Sequence, residues 1–295
     1  MGVTGHQEAM RFGVKAAVKD AWVMAGLDVD LLEVHMEPED LPRRRDALVE
    51  TFASVRRELG HDLMVHAPEF MMTGAGPLLV DLASDDPALR SLSLSTLEAT
   101  IALAEELEAM LVVAHPGGIS PRADGRDADV GLDHLVEGLD RLHDHASDIG
   151  VLLTVENMPW FYNRKSLDGG DAERWESSIL VSPDDMEVLG PHVDGMTLDV
   201  SHAYLHDPRG GMEAIEGFID HHLDRILHLH ISDALPPDHE GLQVGEGMVD
   251  MQMVLRAFRG REVTAVPEIM GGHRGGGLSF RRALRELRAI ESRVG

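Results

Sequence analysis

Eight short runs rich in valine, isoleucine and leucine recur along the chain, each followed by a longer amphipathic or loop-like stretch. They read RFGVKA (11–16), LLEVHM (31–36), DLMVHA (62–67), MLVVAH (110–115), VLLTVE (151–156), GMTLDV (195–200), ILHLHIS (226–232) and EVTAVPEI (262–269). Runs this short and apolar suit strands covered on both faces, and the stretches between them suit the covering helices. In DPALRSLSLSTLEATIALAEELEA, Asp86 and Pro87 mark a helix start. DHLVEGLDRLHDHASDIG ends on Gly150, a helix stop. Eight βα units in 295 residues predict an α/β fold, a (β/α)8 TIM barrel. A doubly wound open sheet would use fewer strands, and no glycine-rich dinucleotide fingerprint follows the first run.

Residues 1–10, MGVTGHQEAM, are expected to form a flexible N-terminal extension, with 11–295 as a single barrel domain. The extension lacks the apolar centre of a signal peptide. No run approaches the ~18 apolar residues of a membrane span, so a soluble, cytoplasmic protein is expected. Cysteine is absent, which excludes disulfides and thiolate metal sites. The acidic residues number 52 against 26 basic ones, a net charge of −26. The lysines are Lys15, Lys19 and Lys165 alone, so nearly all positive charge is arginine. Acid excess with so little lysine resembles the proteins of extreme halophiles, in which salt screens the self-repulsion. With no basic block in the sequence, it also argues against a nucleic-acid partner.

A TIM barrel builds its site at the C-terminal ends of its strands. The third run ends in His66, the fourth in His115, the fifth in Glu156, and the sixth in Asp199 with His202 just beyond. The seventh ends in His230, its loop carries Asp238 and His239, and the eighth carries Glu268. Taken singly, each has a plain explanation: a turn histidine before proline, an arginine-paired glutamate, a helix-capping aspartate. Together they deliver carboxylates and imidazoles to one mouth, where they would repel one another unless a cation neutralised them. Imidazole with carboxylate suits zinc, manganese, cobalt or iron. His228 shares the inward parity of His230 one layer deeper and is expected to support it. Lys15 ends the first run and is expected to pair with a site carboxylate or to touch substrate. His134, His143, His145, His221 and His222 fall in helical stretches and are expected to be solvated. The arginines at 43–45 and 56–57 are expected to pair with acids.

In order along the chain, VHAP, VAHPG, VEN, LDVSHA, HLHISDA, the histidine before GEG, and PEI resemble the xylose isomerase-like TIM barrels. That superfamily holds sugar isomerases and epimerases, and also endonuclease IV, the zinc enzyme that cuts DNA at abasic sites. The resemblance runs from about Arg11 to the end. It implies a metal core of Glu156, Asp199, His230 and Glu268. For endonuclease IV-like members it implies three zinc ions, with His66, His115, His202 and His239 as further ligands. Endonuclease IV spaces the last loop as Asp-x-His, whereas Asp238 and His239 are adjacent here and lie two residues further from GEG. Its first strand is also glycine-rich, unlike FGVKAAV, and the ENMPW segment is closer to the sugar enzymes.

Two chemistries follow from the resemblance and the residues. In a sugar or sugar-phosphate isomerase or epimerase, one divalent ion binds neighbouring oxygens, and Glu156 and Glu268 move the proton through an enediolate. His66, His115, His202, Trp160, Arg164, Lys165 and Lys15 would then bind substrate. The alternative is a multi-zinc phosphodiester hydrolase of the abasic-site endonuclease type, with one to three ions and nucleic acid as its partner. Scattered rim cations, Arg122, Arg126, Arg164, Lys165, Arg209 and Arg274, offer little for DNA. A barrel that only binds ligand is a third reading, disfavoured by the full carboxylate set. No membrane partner is expected, and the sequence leaves a homo-oligomer open.

Overall fold

The protein is described by a computed structural model covering residues 10–120, 128–164 and 173–294. All eight apolar runs are strands, with ends within two residues of those expected. They are β1 (Arg11–Ala16), β2 (Leu31–His35), β3 (Asp62–His66), β4 (Leu111–Ala114), β5 (Leu152–Glu156), β6 (Gly195–Asp199), β7 (Ile226–Ile231) and β8 (Thr264–Pro267). Each pairs in parallel with its sequence neighbours, and β1 pairs with β8, so the sheet closes on itself.

The longer helices lie where the amphipathic stretches predict them, at Arg45–Leu59, Pro87–Glu106, Ala128–Ile149 and Arg274–Val294. The Asp86 side chain accepts from the Ala88 N–H with Pro87 in the first turn, satisfying one of the orphan donors of that helix start. No helix among the described residues is long and apolar enough to cross a membrane.

The strand period of two sorts the barrel interior into layers. Leu31, Met64, Leu111, Val113 and Val266 pack together as an apolar cluster inside it. Towards the strand ends the inward positions turn polar: Lys15, Glu33, His66, Thr154, Glu156, Thr197, Asp199, His228 and His230 are all buried. Gly13 is required between β1 and β2, because a Cβ there would lie 2.3 Å from Leu31 Cδ1 and 2.8 Å from its carbonyl oxygen.

Three small sheets lie in the segments that leave the strand ends. Phe70–Thr73 pairs with Gly76–Leu79 after β3, and Asp233–Leu235 pairs with His239–Leu242 after β7. Phe161–Arg164 and Glu173–Ser177, after β5, form a third with Ile119–Ser120. Only the excursion after β5 stands out in the sequence. His222 departs from its solvated expectation: it is buried, and its Nε2 bonds the Pro183 carbonyl at 2.7 Å. Arg43, Arg44, Arg45 and Arg56 each pair with a carboxylate, as expected, whereas Arg57 departs from it and donates to the Ser54 hydroxyl at 3.0 Å.

Candidate metal centre and active site

The ends of β5, β6 and β7 and the residue after β8 bring Glu156, Asp199, His230 and Glu268 together. One ligand atom from each lies within 4.8 Å of the others. His230 Nδ1 stands 2.9 Å from Glu268 Oε2, 3.3 Å from Glu156 Oε2 and 4.0 Å from Asp199 Oδ2. Despite this crowding, both Glu156 oxygens, Asp199 Oδ2, His230 Nδ1 and Glu268 Oε2 are buried without a hydrogen-bond partner.

The partners behind these atoms explain why. His230 Nε2 faces both oxygens of Glu33 at 3.1 Å, so a proton is held there and Nδ1 is the nitrogen turned to the carboxylates. His66 donates from Nδ1 to the Ala67 carbonyl at 2.8 Å, which turns the Nε2 lone pair to Glu156 at 3.4 Å. His115 Nε2 approaches the same oxygen at 3.3 Å. Carboxylate oxygens and ring nitrogens thus crowd together, several without a hydrogen bond among the described residues, an arrangement that a divalent cation would resolve. The donor set fits such an ion. A second group, His66, His115 and Glu156, fits another, with Glu156 shared. Glu33, His66 and His230 also lie close, but the Glu33 oxygens are engaged by both His228 and His230.

Asp199 serves two ends. Its Oδ1 caps the turn that follows β6, accepting from the His202 N–H at 2.7 Å and the Ser201 hydroxyl at 2.8 Å. Its Oδ2 is left for the cluster. Burial, only partly opposed by His202, raises its carboxyl to about 6.

Beneath the cluster lies a charged layer. Lys15 Nζ bonds Glu268 Oε1 at 2.6 Å and stands 3.7 Å from Glu33. His228 donates from Nε2 to Glu33 at 3.0 Å and accepts at Nδ1 from the Thr264 hydroxyl at 2.7 Å. Burial alone would raise the Glu33 carboxyl, but His230 and Lys15 hold it well below the usual carboxylate range. Burial would likewise lower Lys15, yet Glu268, Glu33 and Glu156 raise it above its ordinary value.

The third ligand set implied by the resemblance is not assembled. His239 has an exposed side chain, and its Nδ1 meets only Asp238, which itself pairs with Arg174. His202 turns Nε2 to Glu240 Oε2 at 3.2 Å and Nδ1 to the Asn157 carbonyl at 2.9 Å. Glu240, two residues after Asp238, is thus the side chain of this loop that meets His202. That contact is hidden in the sequence, where the histidine draws attention to position 239.

Above the cluster opens a cavity of about 770 Å³, lined by Lys15, His115, His202, Glu240 and Glu268 among others. Tyr162 also lines it and donates its hydroxyl to Glu69, tying the hairpin after β5 to the segment after β3. Trp160 is 39% exposed and is not among the lining residues. Of Arg164 only the backbone is described, and Arg122, Arg126 and Lys165 lie outside the described residues. Glu33, His35, Glu69, Glu240 and His273 belong to the site and are not among the residues named from the sequence. His35 ends β2 and so is open to strand-end reading, and Glu33 shares its inward parity in LLEVH.

Residues 23–289 match the model of the family described as xylose isomerase-like TIM barrel. The chain belongs to that family. Among relatives of this xylose isomerase-like barrel is an uncharacterised protein of Methanocaldococcus jannaschii, 28% identical over 171 residues. That match covers 58% of the chain and 59% of the relative, so it spans about three fifths of that protein. A probable endonuclease 4 of Thermoplasma acidophilum is 26% identical, with 78% of the chain and 74% of that protein covered. Among solved structures, an L-ribulose 3-epimerase superposes with a TM-score of 0.72 at 16% identity, covering 97% of the chain and 96% of the other. A Thermus thermophilus protein soaked with zinc chloride gives 0.65 at 24% identity, covering 96% and 99%. At these identities the structural likenesses speak for the fold.

Proposed function

We propose that this xylose isomerase-like barrel is a divalent-metal-dependent sugar isomerase or epimerase that moves a proton beside a carbonyl through an enediolate. The observation that carries the reading is the meeting of Glu156, Asp199, His230 and Glu268 at the foot of a lined cavity, with buried ligand atoms that no hydrogen bond satisfies. A divalent ion held by these four would polarise adjacent oxygens of a hydroxyketone. Glu156 and Glu268 come from non-adjacent strands, so one can take the proton and the other return it from a different side. Lys15 at 2.6 Å favours the ionised form of Glu268, the form that accepts a proton. His115, which lines the cavity, is suited to orient a substrate hydroxyl, whereas His66 is not among the lining residues and His202 is held by Glu240 and the Asn157 carbonyl. The epimerases among the structural neighbours support this choice of chemistry.

Metal-dependent phosphodiester hydrolysis is the second reading. It is favoured by the second ligand group, His66, His115 and Glu156, and by the endonuclease 4 relatives. Glu240 rather than His239 meeting His202, and a mouth lined by several glutamates, weigh against it.

His115→Ala distinguishes the two. In the isomerase the variant keeps the ion at Glu156, Asp199, His230 and Glu268 and turns over ketoses more slowly. In the hydrolase it loses an ion and its cleavage of an abasic-site duplex together. Duplex cleavage by the wild type at a catalytic rate, coupled to ion loss in the variant, would overturn the proposal.

A further inference from the structure

The side of the cavity formed by β1, β2 and the loop after β8 carries a second polar group that the metal cluster does not use. His35 ends β2 beside His66, its register partner, and lines the cavity. Its Nδ1 is buried with no hydrogen-bond partner. A proton there would be a buried donor with no acceptor, so the neutral ring carries it on Nε2. His273, in the loop after β8, gives its Nδ1–H to Asp20 Oδ2 at 2.8 Å, which leaves Nε2 as the acceptor. The two ring centroids are 6.4 Å apart. Among the described residues no hydrogen bond takes Nε2 of either ring, so one imidazole is free to offer a donor and the other an acceptor.

We propose that His35 and His273 form a distal subsite that binds the hydroxyl groups of a neutral, unphosphorylated sugar. This rests on the reading of the barrel as a sugar isomerase or epimerase, and it narrows the substrate class. A hydroxyl donates and accepts, and so matches a donor–acceptor pair; a phosphate accepts and needs donors or cations throughout. The Lys and Arg residues lining the cavity are Lys15 and Arg44, among the described residues, and both are committed. Lys15 bonds Glu268, and Arg44 pairs with Glu37 at 2.8 Å and Asp40 at 3.2 Å. Glu37, Glu39, Glu69 and Glu240 line the same space and would repel a dianion. Asp20 also accepts from the Ala17 N–H at 2.8 Å, so the loop after β1 fixes the carboxylate that orients His273.

Calorimetric titration of the manganese-loaded protein with D-fructose and with D-fructose 6-phosphate tests the subsite, repeated on His273→Gln and His35→Phe with manganese content measured in each. D-Fructose should bind, and its phosphate about tenfold more weakly or not at all. Each variant should lose roughly fivefold in D-fructose affinity, the scale of one lost hydrogen bond, at unchanged manganese content. Should His35→Phe fail to fold, His273→Gln alone carries the comparison. Tighter binding of the phosphate, or wild-type affinity for D-fructose in the variants, would overturn the subsite and leave the isomerase reading standing. A manganese-loaded wild type that binds neither sugar, nor D-tagatose or L-ribulose, would overturn both.

Discussion

Glu33 holds Nε2 of His230 at 3.1 Å from both its oxygens, and this bond decides which nitrogen of His230 faces the cluster. Carboxylate behind histidine is a common support for a metal ligand, because it fixes both tautomer and ring angle. Glu33→Gln should lower divalent-metal affinity by about 10- to 100-fold, the range seen when such partners are removed. Competition with a chelator measures this. Affinity equal to wild type in a folded Glu33→Gln protein would mean that His230 needs no such support.

Lys15 supplies a buried positive charge between Glu268 and Glu33. Lys15→Met leaves two carboxylates facing each other without it. The metal-free variant should lose on the order of 3–5 kcal/mol of stability in urea unfolding, as for other broken buried pairs. Added divalent metal should restore part of that loss, since it replaces positive charge at Glu268. A metal-free variant as stable as the wild type would show that the pair contributes nothing to the fold.

The number of ions is also constrained. Two ligand groups share Glu156, and the third set is broken by His239 pointing away and Glu240 meeting His202. Metal analysis after saturation with zinc and exhaustive dialysis should give no more than two ions per chain. Three tightly held ions would contradict this geometry.

A net charge of −26 makes self-repulsion a large opposing term. The melting temperature should rise steeply from low salt to molar KCl, and keep rising beyond the point where a Debye length of about 3 Å has screened the charges. A flat response would separate the acidic composition from any adaptation to salt.

The barrel was legible in the sequence because each strand is a short apolar run bounded by turn residues, and the eight runs of β1–β8 leave few other architectures. The cluster was legible because Glu156, Asp199, His230 and Glu268 end or follow consecutive strands. Glu33 escaped because it lies mid-strand, flanked by Leu32 and Val34, where an interior carboxylate is unexpected until parity is applied. Glu240 escaped because its role depends on how the loop after β7 turns, which local sequence does not specify. His273 and Asp20 escaped because they meet only when the last loop closes against the first, across 253 residues of chain.

The central claim is proton transfer at a sugar carbon, and exchange from heavy water measures it most directly. Manganese-loaded protein is incubated with D-fructose, D-tagatose and L-ribulose in D2O, and deuterium next to the carbonyl is read by NMR. The account predicts incorporation at that carbon with at least one ketose, lost on metal removal and in Glu156→Gln. No incorporation into any ketose by a metal-loaded protein that cleaves an abasic-site duplex would contradict it.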